Sequence, residues 1–505
     1  MLSKIYTGSV VGLDGKLIEV EVDIGQGTPK FFMVGLPAKE VEESEDRIKA
    51  AILNAGFNLP NRRITVNLAP ANIRKEGSGY DIPIAIGLLM ADRQIDVKIK
   101  KSIFIGELSL GGKLRPVSGV LSLAIMAKEN GFQKIFVPTD NAPEATLIDE
   151  LEVYPVNTLT ELILHLLGDK LIEKKEAEII IPAGNTENSP FDMCYIKGQS
   201  LAKRALEIAA AGGHNVIFSG PPGSGKTLLA RTLPSILPQM SKQEMLEVTR
   251  IHSVAGVLPH NTALITERPF RKPHHTSSSA ALVGGGKIPR PGEISLSHRG
   301  VLFLDEFPEF SRISLEALRQ PLEDGAITVS RAAGSLQFPA AIILVAAMNP
   351  CPCGYATDPD KECSCSTLKI LNYQKKISGP LLDRIDLHIE VPRLNYEKLK
   401  SMEDIEKSAT IRQRVEKART KQLSRFEKSD TITNAEMSPR QVEKYCRLDD
   451  DAEKIVRQAV DKMNLSARSY HRLLKVARTI ADLSDSEGIS KNHIAEALQF
   501  RTRVE

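Results

Sequence analysis

Residues 216–227 read Val-Ile-Phe-Ser-Gly-Pro-Pro-Gly-Ser-Gly-Lys-Thr and run into Leu228-Leu229-Ala230-Arg231. The spacing Gly-x-x-x-x-Gly-Lys-Thr has a physical basis. Gly220, Gly223 and Gly225, with Pro221, Pro222 and Ser224 between them, let backbone N–H groups turn inward around phosphate oxygens. Lys226 then reaches the β- and γ-phosphates, and the Thr227 hydroxyl is a ligand for Mg²⁺. The apolar Val216-Ile217-Phe218 reads as a buried strand, and the residues after Thr227 open a helix whose N-terminus favours an anion. A strand–loop–helix unit of this kind implies an α/β domain that binds a nucleoside triphosphate with Mg²⁺.

Two further apolar runs supply the chemistry that such a loop needs. Val301-Leu302-Phe303-Leu304 ends in Asp305-Glu306, a carboxylate to hold Mg²⁺ followed by one to orient the attacking water. Ala341 to Ala347 ends in Met348-Asn349, and a polar side chain at that strand tip suits the γ-phosphate end of the site. An ordinary strand-end asparagine is the alternative reading. Between Lys226 and Asp305 lie 79 positions, so extra elements are inserted between loop and catalytic strand.

The chain has 505 residues, room for two to four domains, and 42% hydrophobic with 26% charged residues is ordinary for a soluble globular protein. Net charge is only +3, so any nucleic-acid contact must come from local patches. The N-terminal Met1 to Thr7 lacks an apolar secretory core, and the longest apolar stretch, Ile82 to Ala91, is too short to span a bilayer. A cytoplasmic protein without a membrane partner is expected. Four of the six cysteines, Cys351, Cys353, Cys363 and Cys365, form two Cys-x-Cys pairs. In a cytosolic chain this favours a Cys₄ zinc site, with reduced structural thiols or a switchable disulfide as alternatives. Cys194 and Cys446 stand alone and are expected to be inert.

Composition divides the chain at 1–168, 169–190, 191–392 and 393–505. The first region mixes strands and helices. It contains a hairpin expected around Asp14-Gly15, a helix over Glu40 to Ala55 and a strand over Arg63 to Leu68. The second is a polar linker carrying one short strand at Ile179 to Ile181. The third is the nucleotide-binding domain with its cysteine-rich loop at 351–365. The fourth is helical, with apolar positions at Val460, Leu473, Leu474, Val476, Ile480 and Leu498, as in a small lid. Two insertions in the third region suit a phosphate backbone. One carries Arg271, Lys272, Lys287 and Arg290 around Pro273-His274-His275, and the other is a hairpin over 324–338 with Arg331 near its tip. Solvated surface loops are the plainer alternative. A metal at His274-His275 is disfavoured, because adjacent side chains point apart and no third ligand is near in sequence.

The ordered set of motifs resembles the YifB/ComM family of magnesium-chelatase-like AAA+ ATPases along nearly the whole chain. It comprises the phosphate loop, the Pro-His-His loop, Pro-Gly-Glu-Ile-Ser-Leu (291–296), Gly-Val-Leu-Phe-Leu-Asp-Glu (300–306), Met-Asn-Pro-Cys-Pro-Cys-Gly (348–354) and Ser-Gly-Pro-Leu-Leu-Asp-Arg-Ile-Asp (378–386). The resemblance narrows the nucleotide to ATP and implies a homo-hexameric ring that drives branched or single-stranded DNA, as in branch migration during natural transformation. It also implies Asn349 as sensor 1, Arg384 as an arginine finger supplied to a neighbour, and Arg468 as sensor 2, with Arg472 as the competitor. An ion pair of Arg384 with Asp383 or Asp386 is the alternative for that residue. The first region resembles the Lon-protease fold through Lys75-Glu76-Gly77-Ser78-Gly79 and Gly106 to Val117. It departs where it matters: the Lon serine falls at Gly79 and the Lon lysine at Leu121, so a Ser–Lys dyad is not expected. Two other classes remain open, a chelatase-type ATPase working through a partner and a protein-remodelling ATPase.

Overall fold

Val301–Leu304 is buried at all four positions, as a strand covered on both faces must be. It belongs to a five-stranded parallel sheet whose order is Phe270–Arg271, Val301–Leu304, Ile343–Met348, Val216–Ser219, Leu387–Glu390. Val216–Ser219 therefore sits between strands that follow it in sequence, and the loop leaving its C-terminal end opens at a crevice between neighbours. Ligands in open α/β sheets bind at such crevices. This computed structural model describes the chain except residues 1, 177–189, 260–261, 287–288, 332–333, 359, 396–405, 464 and 502–505, and the side chains at 331 and 334. The strand expected at 179–181 lies outside the described residues.

Contacts divide the chain into two units, Met1–Ile181 with Lys242–Thr266, and Pro182–Ser241 with Glu267–Glu505. The second unit has one continuous core. Helix Ser200–Gly212 buries Leu206 and Ile208, strand Val216–Ser219 buries Phe218, and helix Ala467–Leu483 buries Leu473, Leu474, Val476 and Ile480 in the same cluster. Val460 and Leu498 pack against it partly buried. The C-terminal helices are thus joined to the sheet by burial, and Ser466 caps Ala467–Leu483 by accepting from the Ser469 N–H. The expected hairpin pairs Ala326–Arg331 with Gly334–Pro339, Arg331 opposite Gly334.

The first unit holds an antiparallel hairpin, Leu2–Val11 with Asp14–Gly25, in a four-stranded sheet with Lys30–Val34 and Arg63–Ala69. A three-stranded parallel sheet adds Ser102–Phe104, Lys134–Pro138 and Glu152–Val156. The hairpin turns at Gly12-Leu13, not at Asp14-Gly15, because Val11 pairs with Asp14 and Gly12 supplies φ 65°. Gly15 has a different role: a Cβ there would lie 2.6 Å from the Ser122 carbonyl oxygen. The helix expected over 40–55 is two pieces, Lys39–Glu42 and Ser44–Asn54.

Segment Lys242–Thr266 belongs to the first unit, although it falls within the stretch 191–392. Its helix Lys242–Ala255 is tied down by a buried carboxylate. Glu144 accepts from the Ser253 hydroxyl at 2.5 Å, from the Leu121 N–H at 3.2 Å and from Asn141 at 2.7 Å. Burial pushes the Glu144 carboxyl above its usual range, against these three donors. Leu121 is fully buried. No described helix is long and apolar enough to cross a membrane.

Candidate active site

The phosphate loop is shaped by backbone contacts that only glycine permits. A Cβ on Gly220 would lie 2.2 Å from the Val391 carbonyl oxygen, on the edge of the neighbouring strand. Gly223 and Gly225 adopt φ of 76° and 92°, and a Cβ on either would meet nothing within 4 Å. The loop is therefore packed below and open above. The Ser224 hydroxyl oxygen in it is buried without a hydrogen-bond partner. Open space, left-handed glycines and an orphaned hydroxyl fit a phosphate group.

Lys226 opens helix Lys226–Ile236 and folds back over the loop. Its ammonium donates to the carbonyls of Gly220 at 2.7 Å and Pro221 at 2.9 Å, and to Asn349 Oδ1 at 3.3 Å. Burial pushes its pKa down to about 8, while the nearby Asp305 carboxylate acts in the opposite sense. The Thr227 hydroxyl donates to Asp305 Oδ2 at 3.2 Å. The structure thus brings together Lys226, Thr227, Asp305 and Asn349 from three adjacent parallel strands. Glu306 follows with φ 52°, a left-handed conformation that costs energy for a residue with a side chain and clusters at functional sites. Thr227 and Asp305 are oxygen donors of the kind that hold Mg²⁺.

Two residues of this site were not anticipated. His275 Nδ1 lies 3.2 Å from Glu306 Oε2, and its ring lies tilted beside that of His274, with centroids 4.2 Å apart. The Lys272 ammonium lies 2.9 Å from Asp305 Oδ2, so Thr227 and Lys272 bracket one carboxylate oxygen. Lys272 also sits over the Phe303 ring at 5.2 Å. Two members of the basic set expected to meet nucleic acid have acidic partners in this structure. Lys272 faces the acidic pair, and Arg271 forms a two-pronged ion pair with Glu293, both contacts at 2.7 Å. Arg290 is exposed. Lys287 and the Arg331 side chain lie outside the described residues.

Arg384 is only 6% exposed and pairs with neither Asp383 nor Asp386. Its guanidinium donates to the Pro380 carbonyl at 2.6 Å and to Glu323 Oε2, and its Nε is buried without a partner. Arg468 donates to the other oxygen of Glu323 at 2.6 Å. The two guanidiniums, Arg384 first, hold the Glu323 carboxyl below its usual range. Arg472, the competitor of Arg468, is occupied elsewhere. It pairs with the buried Asp386 at 2.7 Å, which also faces His214 Nδ1 at 3.3 Å. Burial alone would raise the Asp386 carboxyl, yet Arg472 and His214 hold it well below the usual range. Burial pushes the lone Cys446 thiol up to about 12, which leaves it protonated and unreactive.

A parallel sheet in this order, with a phosphate loop and an Asp-Glu strand end, defines an AAA+ ATPase core. The family profile described as magnesium chelatase, subunit ChlI, matches residues 192–399. A second ChlI profile matches 20–141, and the ChlI C-terminal profile matches 405–501. Competence protein ComM of Haemophilus influenzae is 44% identical over 100% of this chain and 98% of its own. The uncharacterized protein YifB of Salmonella typhimurium is 41% identical over 99% of this chain and 97% of its own. Lon protease of Mycolicibacterium smegmatis is 25% identical over 32% of this chain and 22% of its own. The chain belongs to the YifB/ComM family of magnesium-chelatase-like AAA+ ATPases, with a Lon-like N-terminal region and a helical C-terminal region.

Proposed function

We propose that this chain is the subunit of an ATP-hydrolysing ring that moves branched DNA. The observation that carries the ATPase part is the convergence of Lys226, Thr227, Asp305 and Asn349 at the C-terminal ends of adjacent strands, with Glu306 beside them. In this reading the loop N–H groups and Lys226 bind the phosphates. Thr227 and Asp305 hold Mg²⁺, which would neutralise charge on the phosphate oxygens. Glu306 orients the attacking water, and His275 holds the Glu306 carboxylate in place. Asn349 positions the γ-phosphate end.

The ring is inferred from the two arginines that meet on Glu323. A guanidinium held by a half-exposed carboxylate can exchange that partner for a neighbour's γ-phosphate. Arg384 and Arg468 are therefore read as residues that act across a subunit boundary in a homo-hexamer. The DNA part rests on full-length similarity to a competence protein and on the local basic residues Lys287, Arg290 and Arg331. Contacts of this kind go to phosphate, so affinity should fall steeply with salt and depend little on base sequence.

The deciding experiment is a synthetic mobile four-way junction incubated with protein, Mg²⁺ and ATP, beside ATP turnover measured with no DNA, duplex, single strand and junction. Junction resolution with junction-stimulated turnover is expected. The three chelatase-subunit profile matches favour a second reading, a chelatase-type ATPase working through a partner protein. Active ATPase that leaves the junction intact would favour that second reading.

A further inference from the structure

The loop that follows Asn349 brings four thiols to one point. The Sγ atoms of Cys351, Cys353, Cys363 and Cys365 all lie within 4.8 Å of one another. Cys351 to Cys353 is 3.3 Å, Cys351 to Cys363 is 3.7 Å and Cys353 to Cys363 is 3.5 Å. These separations are far longer than a disulfide, about 2.05 Å. They are close to the sulfur–sulfur edge of a tetrahedral tetrathiolate, which Zn–S bonds of about 2.3 Å set at about 3.8 Å. An all-sulfur tetrahedral set selects zinc, or iron, over the harder divalent ions.

The same loop is built against the phosphate loop. Gly354 adopts φ 88°, and a Cβ there would lie 2.6 Å from Pro222 Cδ and 3.8 Å from Asn349 Cγ. Asn349 is separated from Cys351 by Pro350 alone. On the other side of the cluster, helix Thr367–Gln374 begins two residues after Cys365 and returns to the same place. Its Gln374 amide donates to the Pro350 carbonyl at 3.4 Å, one residue after Asn349. Both ends of the cysteine loop thus lie beside Asn349, and Gly354 near its start rests on Pro222.

We propose that Cys351, Cys353, Cys363 and Cys365 bind a single Zn²⁺ ion, and that the closed knuckle clamps Asn349 and the phosphate loop, so that metal occupancy sets nucleotide affinity. The ion takes no part in hydrolysis; it fixes the loop. Without it, four thiols in contact have no partner to hold them together, and Gly354 is free to leave Pro222. The metal site stands independently of the reading of the chain as an ATPase, whereas the clamp rests on that reading.

The test uses the full chain purified under reducing conditions without chelator. Elemental analysis should find about one zinc per chain. Metal-free protein, or iron in place of zinc, would overturn the site as stated. Zinc removed by chelation and replaced by Co²⁺ should give the intense visible bands of a tetrahedral tetrathiolate, and their absence would also overturn it. Cys363→Ser with Cys365→Ser should lose the metal. Since loss of two of the four thiols also perturbs folding, the clamp is read on the wild-type chain. After stripping and return of excess Mg²⁺, a fluorescent ATP analogue should bind about tenfold more weakly, and added Zn²⁺ should restore it. Equal affinity with and without zinc would overturn the clamp and leave the metal site. No nucleotide binding by zinc-loaded protein would overturn the clamp together with the ATPase reading, again leaving the metal site.

Discussion

Arg468 and Glu323 lie 145 positions apart in sequence and meet at 2.6 Å, and the second oxygen of the same carboxylate takes Arg384. One acid therefore sets the spacing of both arginines proposed to reach a neighbour. Glu323→Gln keeps the shape and loses the charge. Its kcat should fall about tenfold with KM for ATP little changed, since an interaction realised only in the transition state is lost. Arg384→Ala should abolish turnover and retain nucleotide binding. Mixed with Lys226→Ala subunits it should recover part of the activity, one variant lending the arginine and the other the intact pocket. Assembled mixed rings without any recovery would place Arg384 in its own subunit's site.

Glu306→Gln should bind ATP and hydrolyse it on the order of 10²–10⁴ more slowly, because the carboxylate near the water is gone. His275→Ala removes the group facing Glu306 at 3.2 Å and should cost about tenfold. The double variant should be no slower than Glu306→Gln alone, since residues that act as a unit are not additive. Additive losses in single-turnover measurements would separate the two residues.

Lys272→Met distinguishes the nucleotide site from the DNA surface. With its ammonium 2.9 Å from Asp305, the substitution should shift the Mg²⁺ concentration needed for half-maximal turnover. The salt dependence of DNA binding should be unchanged, because no phosphate contact is removed. A salt slope reduced by about one would return Lys272 to the DNA-contacting set.

Nucleotide affinity should depend on pH through Lys226. Its folded-state pKa is lowered to about 8 by burial, so the free site loses its positive charge as pH rises through that value. A bound phosphate favours the ammonium and raises the pKa, so binding takes up a proton above pH 8 and none below. The dissociation constant should be flat on the acid side of 8 and rise up to about tenfold per pH unit on the alkaline side. Calorimetry in buffers of different ionisation enthalpy measures the proton directly. A flat profile to pH 10 would show that Lys226 remains charged in the free site.

Much of the site was legible because its motifs are local. The phosphate loop, the Asp305-Glu306 strand end and Asn349 each lie at the tip of an apolar run, and a parallel sheet gathers strand tips at one edge. Lys272 and His275 were not legible as site residues because their partners lie 33 and 31 positions away, across a strand whose register no local pattern gives. Glu323 sits in the four-residue helix Pro321–Asp324 with nothing around it to single it out. In the first unit the Asp-Gly dipeptide at 14–15 was a reasonable turn signal. Gly12 serves the turn instead, and Gly15 is small because helix Val120–Glu129 passes close by.

The return of residues 242–266 to the first unit bears on the order in which the chain can fold. Glu144 is buried with Ser253 as one of its partners, so the first 181 residues alone leave that carboxylate short of a donor and uncovered by its helix. The N-terminal unit is complete only after the phosphate loop has been synthesised. Folding is therefore interleaved along the ribosome's output: strand 216–219 and its helix emerge before the first unit closes, and the remaining strands of their sheet emerge after it. A truncation ending at the polar stretch near 181 cuts through a folding unit, and one ending after residue 266 preserves it.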